Sequence, residues 1–216
     1  MKRITIFYAT RSRFKREELE TVSSEIQYKD QGGLFRQIGS LIDFRISDIP
    51  TDEPLEIDLE KMVRHKVRSA YSRLLAPCIV EHAGLVFDAH APTGFPGGLT
   101  QPMWDALTVD EFLSRTGSAG EGAVARAVVG FCDGMRIRTF IGETHGTLAK
   151  SPRGSRDFYW DTIFCPDLGG GKTYAEIAEC ANGLQRKLLI SQSAKALSQF
   201  AAFLAAQDDS GLFDMH

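Results

Sequence analysis

Two long β-prone stretches, residues 123–132 and 136–150, flank Asp133-Gly134, and this arrangement constrains the fold more than any other feature of the chain. An Asp-Gly pair favours the backbone angles of a tight reversal, so the two stretches are predicted to form an antiparallel hairpin. At the N-terminus, Ile4, Ile6 and Tyr8 alternate with Thr5 and Phe7, and a segment rich in glutamate and lysine runs from Ser12 to about Ile26. That order reads as a strand, a tight loop and a helix. A hairpin beside strand–helix units requires a sheet of mixed direction, so the fold class is α/β, a long mixed β-sheet flanked by helices.

The remaining elements follow from periodicity and turn residues. A turn is predicted at residues 31–33, and a strand over 41–46 that ends at Asp48-Ile49-Pro50. From Glu56, a helix carries Leu59, Met62, Val63, Val67, Ala70 and Leu74 along one face and stops at Pro77. Cys78-Ile79-Val80 is a short buried strand leading directly into Glu81-His82-Ala83-Gly84-Leu85, and polar residues just past a buried strand sit where α/β proteins place chemistry. Two short helices are expected at 99–107 and 109–115, a flexible connection at 118–122, and a closing amphipathic helix at 191–206.

The 216 residues read as one folding unit, 43% hydrophobic and 25% charged, which favours neither a disordered nor a fibrous class. A net charge of −3 gives no electrostatic case for nucleic acid as a partner. The apolar runs are too short to span a bilayer and the first residues lack a signal-peptide pattern, so no membrane partner and a cytoplasmic location are expected. Cys78, Cys132, Cys165 and Cys180 lie far apart, and no two histidines have zinc-ligand spacing, so any metal is expected on carboxylates.

Two loops hold the residue types that bind phosphate and bases. The first, from Ala9 to Lys15, sets Thr10, Ser12 and Lys15 at a helix N-terminus, where free N–H groups attract anions. Ser12 also suits a simple N-cap. The second, residues 151–164, combines the bend residues Pro152 and Gly154, the cations Arg153 and Arg156, the flat rings Phe158, Tyr159 and Trp160, and the carboxylate Asp161. Its rings suit either base stacking or the plugging of a core. Gly171-Lys172-Thr173 imitates the end of a phosphate-binding G-x-x-x-x-G-K-S/T loop, but Pro166 stands where the first glycine is required.

In order and spacing these pieces resemble the inosine triphosphate pyrophosphatases, the noncanonical purine nucleoside triphosphate pyrophosphatases, over nearly the whole chain. That family carries T/S-G-N-x-x-K, an acidic residue opening the second helix, E-D-T/S-G-L, P-R-G with F-G-Y/W-D, K-T-F/Y-A-E-M/L and K-x-x-x-S-H-R. The corresponding stretches here are Thr10 to Lys15, Glu56, Glu81 to Leu85, Pro152-Arg153-Gly154 with Phe158 to Asp161, Lys172 to Ile177, and Lys187 to Ser193.

The resemblance implies two lobes with a nucleotide cleft between them, a homodimer, and hydrolysis of a purine nucleoside triphosphate to the monophosphate and pyrophosphate. It implies Mg²⁺, with Mn²⁺ as the alternative, on Glu56 and Glu81, and Glu81, His82 and Lys15 as the catalytic set. Thr10, Ser12, Lys15, Arg153 and Lys187 are implied phosphate contacts. Phe158 and Trp160 are implied stacking faces, with Asp161, Gln192 and Ser193 near the base edge. The chain departs from the family at three places: Arg11 and Ser12 replace glycine and asparagine, His82 replaces an aspartate that holds metal and helps activate water, and Gln192 and Ser193 replace a His-Arg pair. These departures leave a second reading, a nucleotide-binding sensor of the same fold without hydrolysis. An unperturbed His82 protonates near pH 6.5, so activity that depends on it is expected to fall below that pH.

Overall fold

The N-terminal strand β1 (Ile4–Ala9) leads through a three-residue loop into α1 (Arg13–Glu25), which opens where the Ser12 hydroxyl accepts the Lys15 N–H. The computed structural model describes residues 3–116, 118–155 and 159–208. A small antiparallel hairpin, β2 (Gln27–Lys29) and β3 (Phe35–Gln37), contains the predicted turn, and the single turn α2 (Ile38–Leu41) delivers the chain into β4 (Ile42–Ser47). β4 lies parallel to β1, and α3 (Leu59–Leu74) buries Leu59, Met62, Val63, Val67 and Ala70. β5 (Cys78–Phe87) is followed by α4 (Thr100–Ala106) and α5 (Val109–Thr116), then by the long hairpin of β6 (Gly122–Cys132) and β7 (Ile137–Leu148). β8 (Phe164–Pro166), α6 (Tyr174–Ala178), α7 (Gly183–Ile190) and α8 (Gln192–Asp208) complete the order.

The main sheet has the order β4-β1-β5-β6-β7-β8. β1 pairs in parallel with β4 and β5, and every other pairing is antiparallel, so the mixed sheet expected from the hairpin and the strand–helix unit is present. One face packs Ile6, Ile79, Val129 and Phe131 against Leu197, Phe200 and Leu204 of α8. The other packs Val80 and Val128 against Val63 and Val67 of α3. β5, β6 and β7 then run on into a second lobe, where Leu85, Phe87, Ala125 and Leu148 meet Phe112, Trp160, Phe164 and Tyr174. None of the described helices is long and apolar enough to cross a membrane.

Three local expectations change. The helix expected from Glu56 starts at Leu59, because the Asp58 carboxylate accepts the N–H groups of Glu60 and Lys61 and makes the stronger cap. The strand expected to end at Val80 continues to Phe87, because β6 pairs with it along its whole length, so Glu81 and His82 lie in mid-strand. The connection expected to be flexible is anchored: Ser118 is buried, and Gly120 and Glu121 exchange backbone hydrogen bonds with Leu148.

Candidate functional site

β1 pairs with β5 only through Phe7 and Tyr8, so from Glu81 onward this edge of β5 is left uncovered by β1. Lys15, in the first turn of α1, reaches that edge. Its ammonium donates to the Glu81 carbonyl at 2.9 Å and lies 3.4 Å from the Glu81 carboxylate. Successive strand residues point to opposite faces, so Glu81 and His82 open onto different sides of the sheet.

On the α8 side, Glu81 is only 5% exposed. The Tyr8 hydroxyl donates to Oε2 and the Ser193 hydroxyl to Oε1, both at 2.7 Å. Burial alone would raise the Glu81 pKa, but the Lys15 charge and the two hydroxyl donors hold it below the ordinary glutamate value. Burial, reinforced by the neighbouring Glu81 charge, pushes the Tyr8 phenol well up. The anionic form of Glu81 is therefore favoured, and both of its oxygens are already engaged.

On the α3 side, the Lys66 ammonium lies 2.6 Å from Glu53, and His82 Nδ1 lies 3.7 Å from the same carboxylate. Burial lowers the Lys66 pKa, and Glu53 is held low by the Lys66 charge against the opposing effect of its own burial. His82 is lowered to about 3, first by burial and then by the Lys66 and Lys15 charges. This favours the neutral ring, so the unperturbed value of 6.5 assumed from sequence does not describe His82 in the fold. Glu53 and Lys66 were not singled out from sequence. The available signal was a lysine one position before Val67 on the packed face of α3, with a glutamate upstream.

Glu56 accepts the Asp58 N–H at 3.2 Å in the segment before α3, so Glu53 is the carboxylate that meets His82. Among the described residues, no three His, Cys, Asp or Glu side chains cluster as a metal site.

The α7–α8 corner forms the far wall. Lys187 is 6% exposed, donates to Asp161 Oδ2 at 2.6 Å and lies 3.9 Å from Glu18. Gln192 is also buried, and its Oε1 accepts the Tyr174 hydroxyl at 3.0 Å. A cavity of about 40 Å³ lies between this corner, α1 and β5, lined by Lys15, Glu18, Glu81, Lys187, Gln192 and Ser193 among others.

Several expected contacts lie elsewhere or are committed to the fold. Trp160 is 2% exposed and packs edge-on against Phe164 at 5.9 Å, so its ring is core rather than an open stacking face. Asp161 is fully buried, and its Oδ2 accepts from Lys187. Arg153 donates to Glu176 at 3.2 Å and to the Gly171 carbonyl at 2.6 Å, bracing α6 instead of lining the cavity. Thr10 Oγ1 accepts the Ser12 N–H, and Ser12 caps α1, so the loop hydroxyls hold the turn that carries Lys15. Phe158 lies outside the described residues.

The sequence profile of the Ham1 family matches residues 6–203. A dITP/XTP pyrophosphatase of Methanopyrus kandleri is 34% identical over 170 residues, covering 77% of this chain and 86% of that protein. An inosine triphosphate pyrophosphatase of Giardia intestinalis is 34% identical over 176 residues, covering 75% and 82%. The fold is similar to the Ham1 protein of Staphylococcus aureus, with a TM-score of 0.68 at 19% identity over 94% of this chain and 100% of that one. It is similar to a HAM1 protein of Coxiella burnetii, with a TM-score of 0.69 at 21% identity over 94% and 99%.

Proposed function

The chain belongs to the Ham1 family, and we propose that it hydrolyses a noncanonical purine nucleoside triphosphate, ribo- or deoxyribo-, to the monophosphate and pyrophosphate. The observation that carries the reading is the gathering of Lys15, Lys66, Glu53 and Glu81 where β1 stops and β5 runs on, in a chain whose relatives are named dITP/XTP and inosine triphosphate pyrophosphatases. Parallel strands that end beside a longer neighbour leave a crevice of the kind α/β proteins use for ligands.

In this reading Lys15 and Lys66 neutralise the triphosphate, each released from the carboxylate that holds it in the free protein. Lys187 supports the same charge from the α7 side while it fixes Asp161, and Gln192 turns its amide toward the ligand. Thr10 and Ser12 act by shaping the turn that presents Lys15.

A divalent ion, with Mg²⁺ as the expected species, belongs to the same reading. The residues that would hold it are the carboxylates of Glu53, which is partly exposed, and Glu81, with phosphate oxygens and water filling the remaining positions. Such an ion would supply charge neutralisation and polarisation of the attacked phosphoryl group. A cytoplasmic location and a homodimer complete the reading, on the resemblance to the family.

The test is pyrophosphate release from a panel of ribo- and deoxyribonucleoside triphosphates, with and without chelator. Metal-dependent release from the inosine and xanthosine forms is expected. Absence of release from every triphosphate would overturn the proposal.

A further inference from the structure

We infer that Ser69 is a positioning residue for turnover: with Asp52 and Arg73 it clamps the segment before α3, and the clamp holds Glu53 against Lys66 and His82. The inference rests on the function proposed above and assigns what fixes one wall of that site.

Residues 51–56 form neither helix nor strand, and none of them is buried. Leu55 is 78% exposed, and a cavity of about 540 Å³ opens beside the segment, lined by Asp52, Glu53, Ser69 and Ser72 among others. Apolar packing therefore does not fix this stretch, although it carries the carboxylate that meets His82. The contacts that fix it are polar and come from one stripe of α3, on which Lys66, Ser69 and Arg73 follow one another at helical spacing. The Asp58 cap sets which upstream carboxylate faces His82, and the Ser69 clamp holds it there.

Ser69 is buried, and its hydroxyl has its full set of partners. It accepts the Asp52 N–H at 3.0 Å, donates to Asp52 Oδ2 at 2.9 Å and accepts from the Arg73 guanidinium. Arg73 also donates to Asp52 Oδ1 and to the Ser69 carbonyl, each at 3.2 Å. A hydroxyl that binds both the backbone and the side chain of one residue fixes that residue's orientation as well as its place. Glu53 follows directly, with its carboxylate 2.6 Å from the Lys66 ammonium and 3.7 Å from His82 Nδ1. Without the Ser69 hydroxyl, Asp52 keeps only the long, pivoting side chain of Arg73, and Glu53 can leave Lys66. A misplacement of about 1 Å in a catalytic constellation costs up to about 10²-fold in rate.

With dITP as substrate, Ser69→Ala is expected to lower kcat by about tenfold or more, within that range, and Ser69→Thr, which keeps the hydroxyl, to recover most of it. KM should not rise, because Lys66 no longer has to leave Glu53 to meet phosphate. In a Glu53→Gln background Ser69→Ala should cost little more, since the carboxylate it places is already gone, whereas a general weakening of the fold would add to the first loss. Asp52→Ala, at an exposed position, removes the same clamp and serves where Ser69→Ala does not fold. Nuclear magnetic resonance of protein carrying isotopically labelled lysine gives a readout without nucleotide or metal. The Lys66 ammonium signal, identified by its absence in Lys66→Arg, should change alike in Ser69→Ala and Glu53→Gln.

Wild-type turnover in a folded Ser69→Ala or Asp52→Ala protein, additive losses with Glu53→Gln, or an unmoved Lys66 signal would each overturn the inference. Any of these beside pyrophosphate release by the wild type leaves the proposed function standing. Absence of release from every triphosphate would remove that function and the turnover role with it.

Discussion

Ser193 Oγ donates to Glu81 Oε1 at 2.7 Å, and this bond ties the first turn of the last helix to the middle of the central strand. Tyr8, from the neighbouring strand, holds the other oxygen at the same distance. Three segments far apart in sequence therefore converge on one buried carboxylate, whose carbonyl and side chain in turn position Lys15. Removing a donor from a buried anion costs about 1.5–3 kcal/mol. Tyr8→Phe and Ser193→Ala are each expected to lower unfolding stability by an amount in that range. The check is a fall in the urea midpoint at unchanged slope, and unaltered midpoints would mean that Glu81 is held by Lys15 alone.

Metal-free protein is expected to lose stability in acid through His82. The folded value of His82 is about 3, against about 6.5 for an unperturbed histidine. As pH falls below 6.5 the unfolded chain takes up a proton that the folded chain refuses, so stability declines, by up to about 1.4 kcal/mol per pH unit, until the folded value is reached. Glu81 and Glu53, both held low in the fold, add further loss only where carboxylates titrate. His82→Gln should therefore flatten the stability profile between about pH 6.5 and 4.5, and an unchanged slope there would show that His82 is readily protonated in the fold.

Trp160 packs among Phe164, Tyr174 and the second-lobe core. Trp160→Ala is expected to cost about 3–5 kcal/mol of stability, the range for deleting a large buried aromatic. Calorimetric unfolding measures it. A stable Trp160→Ala protein that has lost only nucleotide affinity would contradict the core assignment.

The α/β class, the mixed sheet and the final helix were legible because they rest on local signals: alternation in β1, the Asp-Gly reversal, and the apolar stripes of α3 and α8. The site was legible in part. Lys15, Glu81, Gln192 and Ser193 line one cavity beside β5 and His82 opens onto the other face beside Glu53, whereas Arg153 donates to Glu176 of α6 and Trp160 packs in the second-lobe core. Glu53 was hidden because only the position of the Asp58 cap decides which upstream carboxylate faces His82. Tyr8 was read simply as a strand residue, since its partner Glu81 lies 73 positions away.

Gly142 of β7 lies directly against the first turn of α8. A Cβ there would lie 1.9 Å from the Gln192 carbonyl oxygen and 2.6 Å from the Ala196 nitrogen, both backbone atoms that cannot simply rotate aside. Gly142→Ala must therefore push back the turn that carries Gln192 and Ser193, at about 1–3 kcal/mol for an overpacked contact. Loss of stability accompanied by weaker nucleotide binding is expected in thermal-shift titrations, and normal binding at normal stability would contradict the packing.

The central claim is tested most directly by separating the products formed from dITP by wild type and by Lys15→Ala. The wild type is predicted to give dIMP and pyrophosphate in equal amounts. The variant should be slower by about 10–100-fold in kcat/KM, the loss expected when one charge-assisted contact to phosphate is removed. Formation of dIDP with orthophosphate, or dITP binding with no product at all, would contradict the account.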